Sequence, residues 1–255
     1  MNVLDNLYPK ELNILVDADL YLFQATVASE ETICWDIDSD IWSLRADLKK
    51  AKKAFTERLE GFKERLDGKH LVLCFTTGSN FRKTVYEPYK SNRKKTRKPV
   101  GYAHMVTWAM GHWPSVTVDT LEADDIMGIL QSAPGYSTVV VSDDKDLLSV
   151  PGTVYRPMKD EIIDVSLPEA DHWFLSQCLQ GDSTDGYGGC PGIGPKTAEK
   201  VLGNHPSWEQ VAQAYLKAGL TRDDALAQSR CARILRWEDW DQSTQQLKLW
   251  EPQRC

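Results

Sequence analysis

Two neighbouring stretches, Gly181-Asp182-Ser183-Thr184-Asp185-Gly186 and Gly192-Ile193-Gly194-Pro195-Lys196-Thr197-Ala198, carry most of the information on fold and chemistry. The first sets two carboxylates three residues apart, so that they would share one face of a helix end. In the second, Gly-Ile-Gly predicts a turn whose missing side chains let a phosphate approach backbone N–H groups. Pro195 suits the first position of the next helix, whose positive dipole end would face that phosphate. An ordinary helix–turn–helix packing element explains the Gly-x-Gly turn equally well.

Four short apolar runs earlier in the chain have the composition of buried strands. Residues 12–16, 71–75, 116–118 and 138–141 are rich in Val, Ile and Leu, as in strands covered on both faces of a parallel sheet. Residues 43–66 carry apolar side chains at steps of three or four, which predicts a helix between two of these strands. The alternation predicts an α/β fold, a doubly wound, mostly parallel sheet with helices on both faces.

The pattern becomes helical from residue 167 onward. Residues 171–180, 195–202, 207–218 and 222–237 predict helices joined by turns that Gly and Pro mark. No low-complexity linker separates these helices from the strands. We therefore expect a helical annex that packs directly against the sheet domain.

Acidic residues follow several of the predicted strands. Asp17 follows the first run, Asp144 and Asp146 follow the fourth, and Glu122-Ala123-Asp124-Asp125 opens a helix after the third. In a doubly wound sheet the site lies beyond the carboxyl ends of the strands, where these acids would meet. So many carboxylates would repel one another unless cations neutralised them. Oxygen ligands suit Mg²⁺ or Mn²⁺, and two such ions can activate water and stabilise the leaving oxygen of a phosphodiester.

The distribution of charge indicates a nucleic-acid partner. The chain of 255 residues has a formal net charge of −7, yet residues 82–98 hold eight basic residues and one acid. Phe81, Tyr86, Tyr89 and Tyr102 are interleaved with this basic segment. Surfaces that hold phosphates while they stack bases have this composition.

Neither a membrane segment nor a cysteine framework is expected. No apolar run approaches the ~20 residues of a membrane span, and residues 1–10 lack a signal-peptide core. The six cysteines form no CxxC pair, which favours reduced thiols over disulfides or a zinc site. We expect a soluble, cytoplasmic protein.

Taken in order, these motifs resemble the flap endonuclease/5′–3′ exonuclease family. The resemblance covers about residues 12–205, and the compact length and spacing are most similar to the bacteriophage T7-type 5′ exonucleases. The residues that carry it are Asp17, Phe81-Arg82, Tyr89-Lys90-Ser91-Asn92-Arg93, Glu122-Ala123-Asp124-Asp125, Ser142-Asp143-Asp144-Lys145-Asp146-Leu147, Gly181-Asp182, Asp185 and Gly192-Ile193-Gly194-Pro195-Lys196-Thr197-Ala198.

The resemblance implies a two-part architecture. Residues 1–168 would form a PIN-like nuclease domain, in which residues 82–110 make a basic arch or clamp over the site. Residues 169–255 would form a small all-helical, DNA-binding annex with C-terminal helices. Within it, about residues 178–205 would make a helix-three-turn-helix.

The resemblance also implies a role for each motif residue. Lys90 and Arg93 would act on the scissile phosphate as catalytic residues, and Tyr89 would sit against the end base. The turn around Gly192 would grip duplex phosphates, with K⁺ as a candidate ion there. The implied metal ligands are Asp17, Glu122 and Asp124 for a first ion and Asp144, Asp146, Asp182 and Asp185 for a second, with Asp125 in support. The implied DNA-binding residues are Arg82, Lys83, Tyr89, Lys94, Lys95, Gly192, Ile193, Gly194, Lys196 and Thr197.

The implied activity is that of a DNA 5′–3′ exonuclease with flap endonuclease activity and two Mg²⁺ or Mn²⁺ ions, in phage DNA replication, DNA degradation or primer removal. Its partner would be DNA with a 5′ end, nick or flap, or an RNA–DNA hybrid, bound by a monomer in the host cytoplasm. Two alternatives are a PIN-type ribonuclease and a catalytically silent DNA-binding protein with structural acids. PIN-type ribonucleases usually lack the annex.

One feature departs from the family pattern. Many relatives end their second strand with an acid that serves the first metal, whereas this chain has Phe75 and Thr76 at that point. We therefore expect the first ion to be held by fewer carboxylates and more waters than the second.

Overall fold

The computed structural model describes residues 2–92 and 97–252. The strands are β1 (Leu12–Asp17), β2 (Glu30–Asp36), β3 (Ile41–Ala46), β4 (His70–Cys74), β5 (Ser115–Val116), β6 (Ser137–Val141), β7 (Gly152–Arg156), β8 (Glu161–Val165), β9 (Trp240–Asp241) and β10 (Gln246–Leu247). The helices are α1 (Ala18–Val27), α2 (Leu48–Leu66), α3 (Arg82–Val85), α4 (Tyr102–Met110), α5 (Ala123–Gln131), α6 (Leu167–Gln180), α7 (Pro195–Leu202), α8 (Trp208–Lys217) and α9 (Arg222–Ala232). Short 3₁₀ turns span Val3–Asn6, Lys145–Ser149 and Trp237–Asp239.

A six-stranded sheet forms the centre of the fold, in the order β5-β4-β1-β6-β7-β8. Strand β1 pairs in parallel with β4 on one side and with β6 on the other. Only the pairing of β7 with β8 is antiparallel among the strands described in this sheet. The α/β class and the mostly parallel sheet expected from the sequence are confirmed.

Helices cover both faces of the sheet because both faces of its strands are apolar. Alternate strand residues such as Ile14 and Val16 pack in a buried cluster with side chains of α1, α2 and α4. On the opposite face, Leu15 and Val140 pack against α5. The order of the strands reverses between β1 and β6, which opens a crevice at the carboxyl ends of these two strands.

The helical annex has a core of its own, yet the chain returns to the sheet domain after it. Helices α6 to α9 share a buried cluster that includes Phe174 and Tyr215. Ile234, Leu235 and Trp240 then pack with α5 in the core beside the sheet. The division at residues 168 and 169 remains a prediction.

Several bounds differ from the sequence-based expectation, most clearly those of α2 and α9. The helix predicted over residues 43–66 begins at Leu48, because Asp47 caps it by accepting from the N–H groups of Lys49 (3.0 Å) and Lys50 (3.1 Å). The preceding residues instead form strand β3, which pairs with β2 in an exposed hairpin. The last helix ends at Ala232 rather than at residue 237, and a short hairpin of β9 and β10 follows it.

No helix among the described residues is both long enough and apolar enough to cross a membrane.

The close contact of α5 with the C-terminal segment gives a test of the packing. A Cβ atom at Gly128 would lie 2.3 Å from the carbonyl oxygen of Leu235, a distance that requires backbone movement. Gly128→Ala is expected to lower the free energy of unfolding by about 1–3 kcal/mol, although alanine is normally the better helix former.

Gly61→Ala in α2 is the matched control, since a Cβ there meets nothing within 4 Å. It should raise stability by about 0.5–1 kcal/mol. Chemical denaturation of both variants measures the difference. Equal effects would show that the segment around Leu235 does not pack on α5 as described.

Candidate active site

Carboxylates from four segments of the chain line one cavity of about 370 Å³ at the carboxyl ends of the strands. Asp17 ends β1 and caps α1, accepting from the N–H of Leu20 at 3.2 Å. Asp144 caps the 3₁₀ turn after β6 by accepting from the N–H of Asp146 at 2.8 Å. The acids that line the cavity are Asp17, Asp19, Glu122, Asp124, Asp144, Asp146, Asp182 and Asp185.

Burial and mutual repulsion disfavour the charged form of three of these acids. Burial raises the pKa of Asp17 to about 7, and the charges of Asp19 and Asp144 add to this rise. The pKa of Asp124 is raised well above its ordinary value by burial and by the charges of Asp17 and Asp144. Burial together with Asp144 raises the pKa of Asp146 to about 7. A bound cation would instead stabilise the charged carboxylates and lower their pKa values.

Glu122 differs from these acids because basic residues surround it. Burial alone would raise its pKa, but the charges of Arg82 and Lys90 lower it to about 2. The Nζ atom of Lys90 donates to Glu122 and lies 3.4 Å from Oδ2 of Asp185. The ammonium group of Lys90 therefore joins an acid of the sheet domain to an acid of the turn after α6.

Tyr89 is buried beside the cavity. Its ring is 1% exposed and packs in the core of the annex, so it cannot stack on a DNA base in this conformation. Its hydroxyl oxygen lies 2.9 Å from Oε2 of Glu122 and 2.8 Å from Oδ2 of Asp185. The structure describes a contact of Tyr89 with these two acids, and its contact with an end base stays a prediction.

Asp125 and Arg82 form a buried ion pair with each other. Asp125 is fully buried and forms two hydrogen bonds of 2.7 Å with the guanidinium of Arg82, and it is not among the residues that line the cavity. Arg82 is 3% exposed and donates to groups inside the protein. The supporting role of Asp125 at the metal site and the DNA contact of Arg82 stay predictions.

The second group of acids is held by the turn after α6. Asp182 and Asp185 lie in this turn rather than on a helix end, because Gly181 ends α6 and Asp182 pairs with Tyr187. Oδ1 of Asp182 accepts from the N–H of Thr184 at 2.6 Å. Gln177 on α6 donates to Oδ1 of Asp146 at 2.6 Å and so orients that carboxylate toward its neighbours.

Asp19 and Gln177 are site residues that the sequence analysis did not identify. The carboxylate of Asp19 lines the cavity and accepts from the N–H of Thr76 (2.7 Å) and the hydroxyl of Tyr102 (2.9 Å). Its place two residues after Asp17 in the first turn of α1 was the available signal. Gln177 gave no signal, because one amide on a helix has no distinctive pattern.

The donor chemistry of the cavity fits hard divalent cations, since it consists of carboxylate oxygens. The ligands are not fully assembled, because no group of three His, Cys, Asp or Glu side chains in the described segments is arranged to hold one ion. Lys90 and Tyr89 engage Glu122 and Asp185 instead. An ion at these two acids requires Lys90 to withdraw.

The turn that opens α7 is exposed on the annex. Gly192 has φ of 76°, a left-handed conformation that favours glycine. A Cβ at Gly192 or Gly194 would meet nothing within 4 Å, so these positions leave the backbone open to a ligand from outside. Lys196 and Thr197 are exposed beside the turn, and Ile193 is partly buried. Lys83 is exposed on α3, while Arg93, Lys94 and Lys95 lie outside the described residues.

Comparison with known proteins gives consistent similarities. The family described as "5′-3′ exonuclease, N-terminal resolvase-like domain" matches residues 13–166. The exodeoxyribonuclease of Enterobacteria phage T3 is 29% identical over 94% of this chain and 92% of its own length. The exonuclease of Escherichia phage T7 is 29% identical over 94% of this chain and 93% of its own.

The T5 D15 protein has a similar fold. Its structure with metal ions gives a TM-score of 0.68 at 12% identity, over 88% of this chain and 89% of that one. The structure of a T5 D15 flap endonuclease variant with DNA and metal ions gives a TM-score of 0.59 at 12% identity, over 86% and 90% of the two chains.

The repulsion at Asp124 gives a test of the electrostatics. Asp124→Asn is expected to stabilise the metal-free protein by about 1 kcal/mol at neutral pH, because it removes a buried acid whose ionisation burial and the other carboxylates oppose. In Ca²⁺ the wild type should be the more stable of the two proteins, since its carboxylate at position 124 can contact the ion and the amide of the variant carries no charge to do so. Denaturation in EDTA and in Ca²⁺ measures both effects.

Asp38→Asn, at the exposed tip of the β2–β3 hairpin, is the control and should change stability by less than about 0.5 kcal/mol in either condition. If Asp124→Asn destabilised the protein in EDTA, the account of repulsion at the cavity would be wrong.

Proposed function

This chain belongs to the 5′–3′ exonuclease family, and from this membership we propose that it is a divalent-metal-dependent 5′–3′ exodeoxyribonuclease with 5′ flap endonuclease activity. One observation carries the proposal: acids from four segments of the chain meet beside Lys90 in one cavity. That arrangement supports hydrolysis of a phosphodiester.

The acids fall into two sets around the cavity, with the charge of Asp144 acting on both. Asp17, Glu122 and Asp124 would hold a first ion, and Asp144, Asp146, Asp182 and Asp185 a second. Bound Mg²⁺ or Mn²⁺ would activate the attacking water and stabilise the leaving oxygen. The first set lacks an acid at Phe75 and Thr76, so the first ion is the weaker of the two.

Lys90 would act on the scissile phosphate. Its ammonium lines the cavity between Glu122 and Asp185. Once released from these acids, it would favour the negative charge that develops on the phosphate in the transition state. Arg93 is assigned the same role by the family pattern.

DNA would be held outside the cavity by the basic segment and the annex. Lys83, Lys94 and Lys95 would contact phosphates near the cleaved end, and Gly192, Ile193, Gly194, Lys196 and Thr197 would grip the duplex, with K⁺ in that turn. The substrate is DNA with a 5′ end, nick or flap, with an RNA–DNA hybrid as a further substrate. The protein would act as a monomer in the cytoplasm of a phage-infected host, in replication, degradation or primer removal.

Cleavage assays test this function directly. The protein is incubated with 5′-labelled duplex, flap and RNA substrates, first in Mg²⁺ and then in EDTA. The proposal requires release of short 5′ products from DNA in Mg²⁺ and none in EDTA. Cleavage of RNA alone, or DNA binding without cleavage in Mg²⁺ and in Mn²⁺, would contradict it.

Asp144→Asn and Asp182→Asn should each reduce cleavage by more than about tenfold, because each removes a proposed metal ligand. DNA binding should stay the same or improve, since each change also removes a negative charge that faces phosphate. Single-turnover cleavage and a binding titration measure the two effects. Asp38→Asn should match the wild type in both, and a metal-site variant within about tenfold of wild-type rate would contradict the second metal set.

Lys90→Ala should slow single-turnover cleavage far more than it weakens DNA binding, because the charge acts mainly in the transition state. Lys53→Ala on α2, an exposed lysine paired with Glu57, is the control and should leave both unchanged. Equal losses of rate and affinity in Lys90→Ala would reduce Lys90 to a phosphate anchor.

A further inference from the structure

The guanidinium of Arg82 donates hydrogen bonds to several groups inside the protein. Nη1 and Nη2 each donate to Asp125 at 2.7 Å. Nε donates to the carbonyl of Cys231 at 3.0 Å, and Nη2 donates to the carbonyl of Arg233 at 2.6 Å. Nη1 also lies 3.4 Å from Oε2 of Glu122. These contacts use all five N–H groups of the side chain.

Arg82 reaches Glu122 by two routes. The direct route is the contact from Nη1 to the Glu122 carboxylate. The indirect route passes through Asp125, whose Oδ2 accepts from the N–H of Glu122 at 3.1 Å. Glu122 is the N-cap of α5, and its side chain accepts in turn from the backbone of Asp125. Both the backbone and the carboxylate of Glu122 therefore depend on this ion pair.

The same ion pair joins the cavity to the end of the annex. Cys231 lies in the last turn of α9, and Arg233 and Leu235 follow it. Oδ1 of Asp125 accepts from the N–H of Leu235 at 3.2 Å, so backbone groups of this segment contact both members of the pair. The segment also lies against Gly128 on the next turn of α5.

From this geometry we propose that Arg82 and Asp125 are positioning residues for Glu122. They set the carboxylate of Glu122 toward the cavity, and they make its position depend on how residues 231–235 pack on α5. Neither touches the substrate. The proposal rests on the function proposed above, because the group it positions is a metal ligand of that reaction.

Lysine cannot replace Arg82 in this role. An ammonium group retains the charge beside Glu122, but it has three N–H groups and lacks the planar fork that bonds Asp125 with two parallel hydrogen bonds. Arg82→Lys therefore keeps the positive charge beside Glu122 and removes the paired hydrogen bonds to Asp125. If charge alone were needed, the variant would behave as the wild type.

Because loss of one partner leaves a buried charge, a single substitution can destabilise the fold for reasons unrelated to Glu122. The decisive variant is the double replacement Arg82→Met/Asp125→Leu, since a buried ion pair exchanged for apolar side chains of similar size is often tolerated. It removes both routes to Glu122 and leaves no unpaired charge. Tyr215→Phe is the control, because it removes one buried hydrogen bond, to the carbonyl of Cys178, far from Arg82 in the chain and without altering the pair.

Three quantities are measured for each protein: the thermal unfolding midpoint with increasing Ca²⁺ and no DNA, the single-turnover cleavage rate in saturating Mg²⁺, and the affinity for DNA. Arg82→Lys and the double variant should need about 10-fold more Ca²⁺ for half of the stabilisation. They should also cut about 10- to 100-fold more slowly. DNA affinity should change less than about threefold, because no phosphate contact is lost. Tyr215→Phe should lose stability but keep the wild-type Ca²⁺ midpoint and rate.

A folded double variant, or Arg82→Lys, with the wild-type Ca²⁺ midpoint would overturn the proposal, whatever its rate. If the double variant does not fold, Arg82→Lys decides alone. A different result contradicts the proposed function: failure of the wild-type protein itself to cleave DNA in Mg²⁺.

Discussion

The repulsion among carboxylates at one edge of the sheet is the constraint on which the rest of the structure depends. Burial and neighbouring charges raise the pKa values of Asp17, Asp124 and Asp146, so the fold maintains these groups together at a cost in stability. Glu122 is the exception, because Arg82 and Lys90 compensate its charge. The charge of Asp144 thus opposes ionisation of Asp124 and of Asp146, whereas Arg82 and Lys90 stabilise the charge of Glu122.

The apolar core supports this strained edge. Strands β1 and β6 are buried on both faces and end together at the point where the strand order reverses, so Asp17 and Asp144 meet. Helix α5 brings Glu122 and Asp124 to the same place, and the segment after α9 packs on α5 from behind. The annex contributes its own two acids through the turn that follows α6. The cavity therefore forms only where sheet, α5 and annex are packed together.

Elements whose formation depends on local sequence pattern could be predicted from the sequence alone. Continuous apolar runs predicted β1, β4 and β6, and proline after a glycine turn predicted α7 with the bounds that are observed. The β2–β3 hairpin was missed because it is exposed and its apolar residues happen to continue the helical spacing of α2. The end of α9 was missed because backbone groups of Arg233 and Leu235 bond to Arg82 and Asp125, residues more than one hundred positions earlier.

The same distinction holds for the cavity. The identity of most acids was available from their places after strands, whereas the burial of Tyr89 and the pairing of Arg82 with Asp125 depend on contacts between distant segments. Asp19 gave only a weak signal, because an acid in the first turn of a helix usually serves that helix alone. Composition and spacing thus predict which charges gather, and packing decides which of them face the cavity.

If these acids gather to bind cations, the bound ions displace Lys90 from Glu122 and Asp185. A crystal structure of the protein with Ca²⁺ and without DNA tests it most directly. Ions are expected among the carboxylates, with fuller occupancy beside Asp146 and Asp182 than beside Asp17 and Asp124. Nζ of Lys90 is expected to lie away from Glu122 and Asp185. A structure at saturating Ca²⁺ in which Lys90 still bonds both acids and no ion lies among the carboxylates would contradict it.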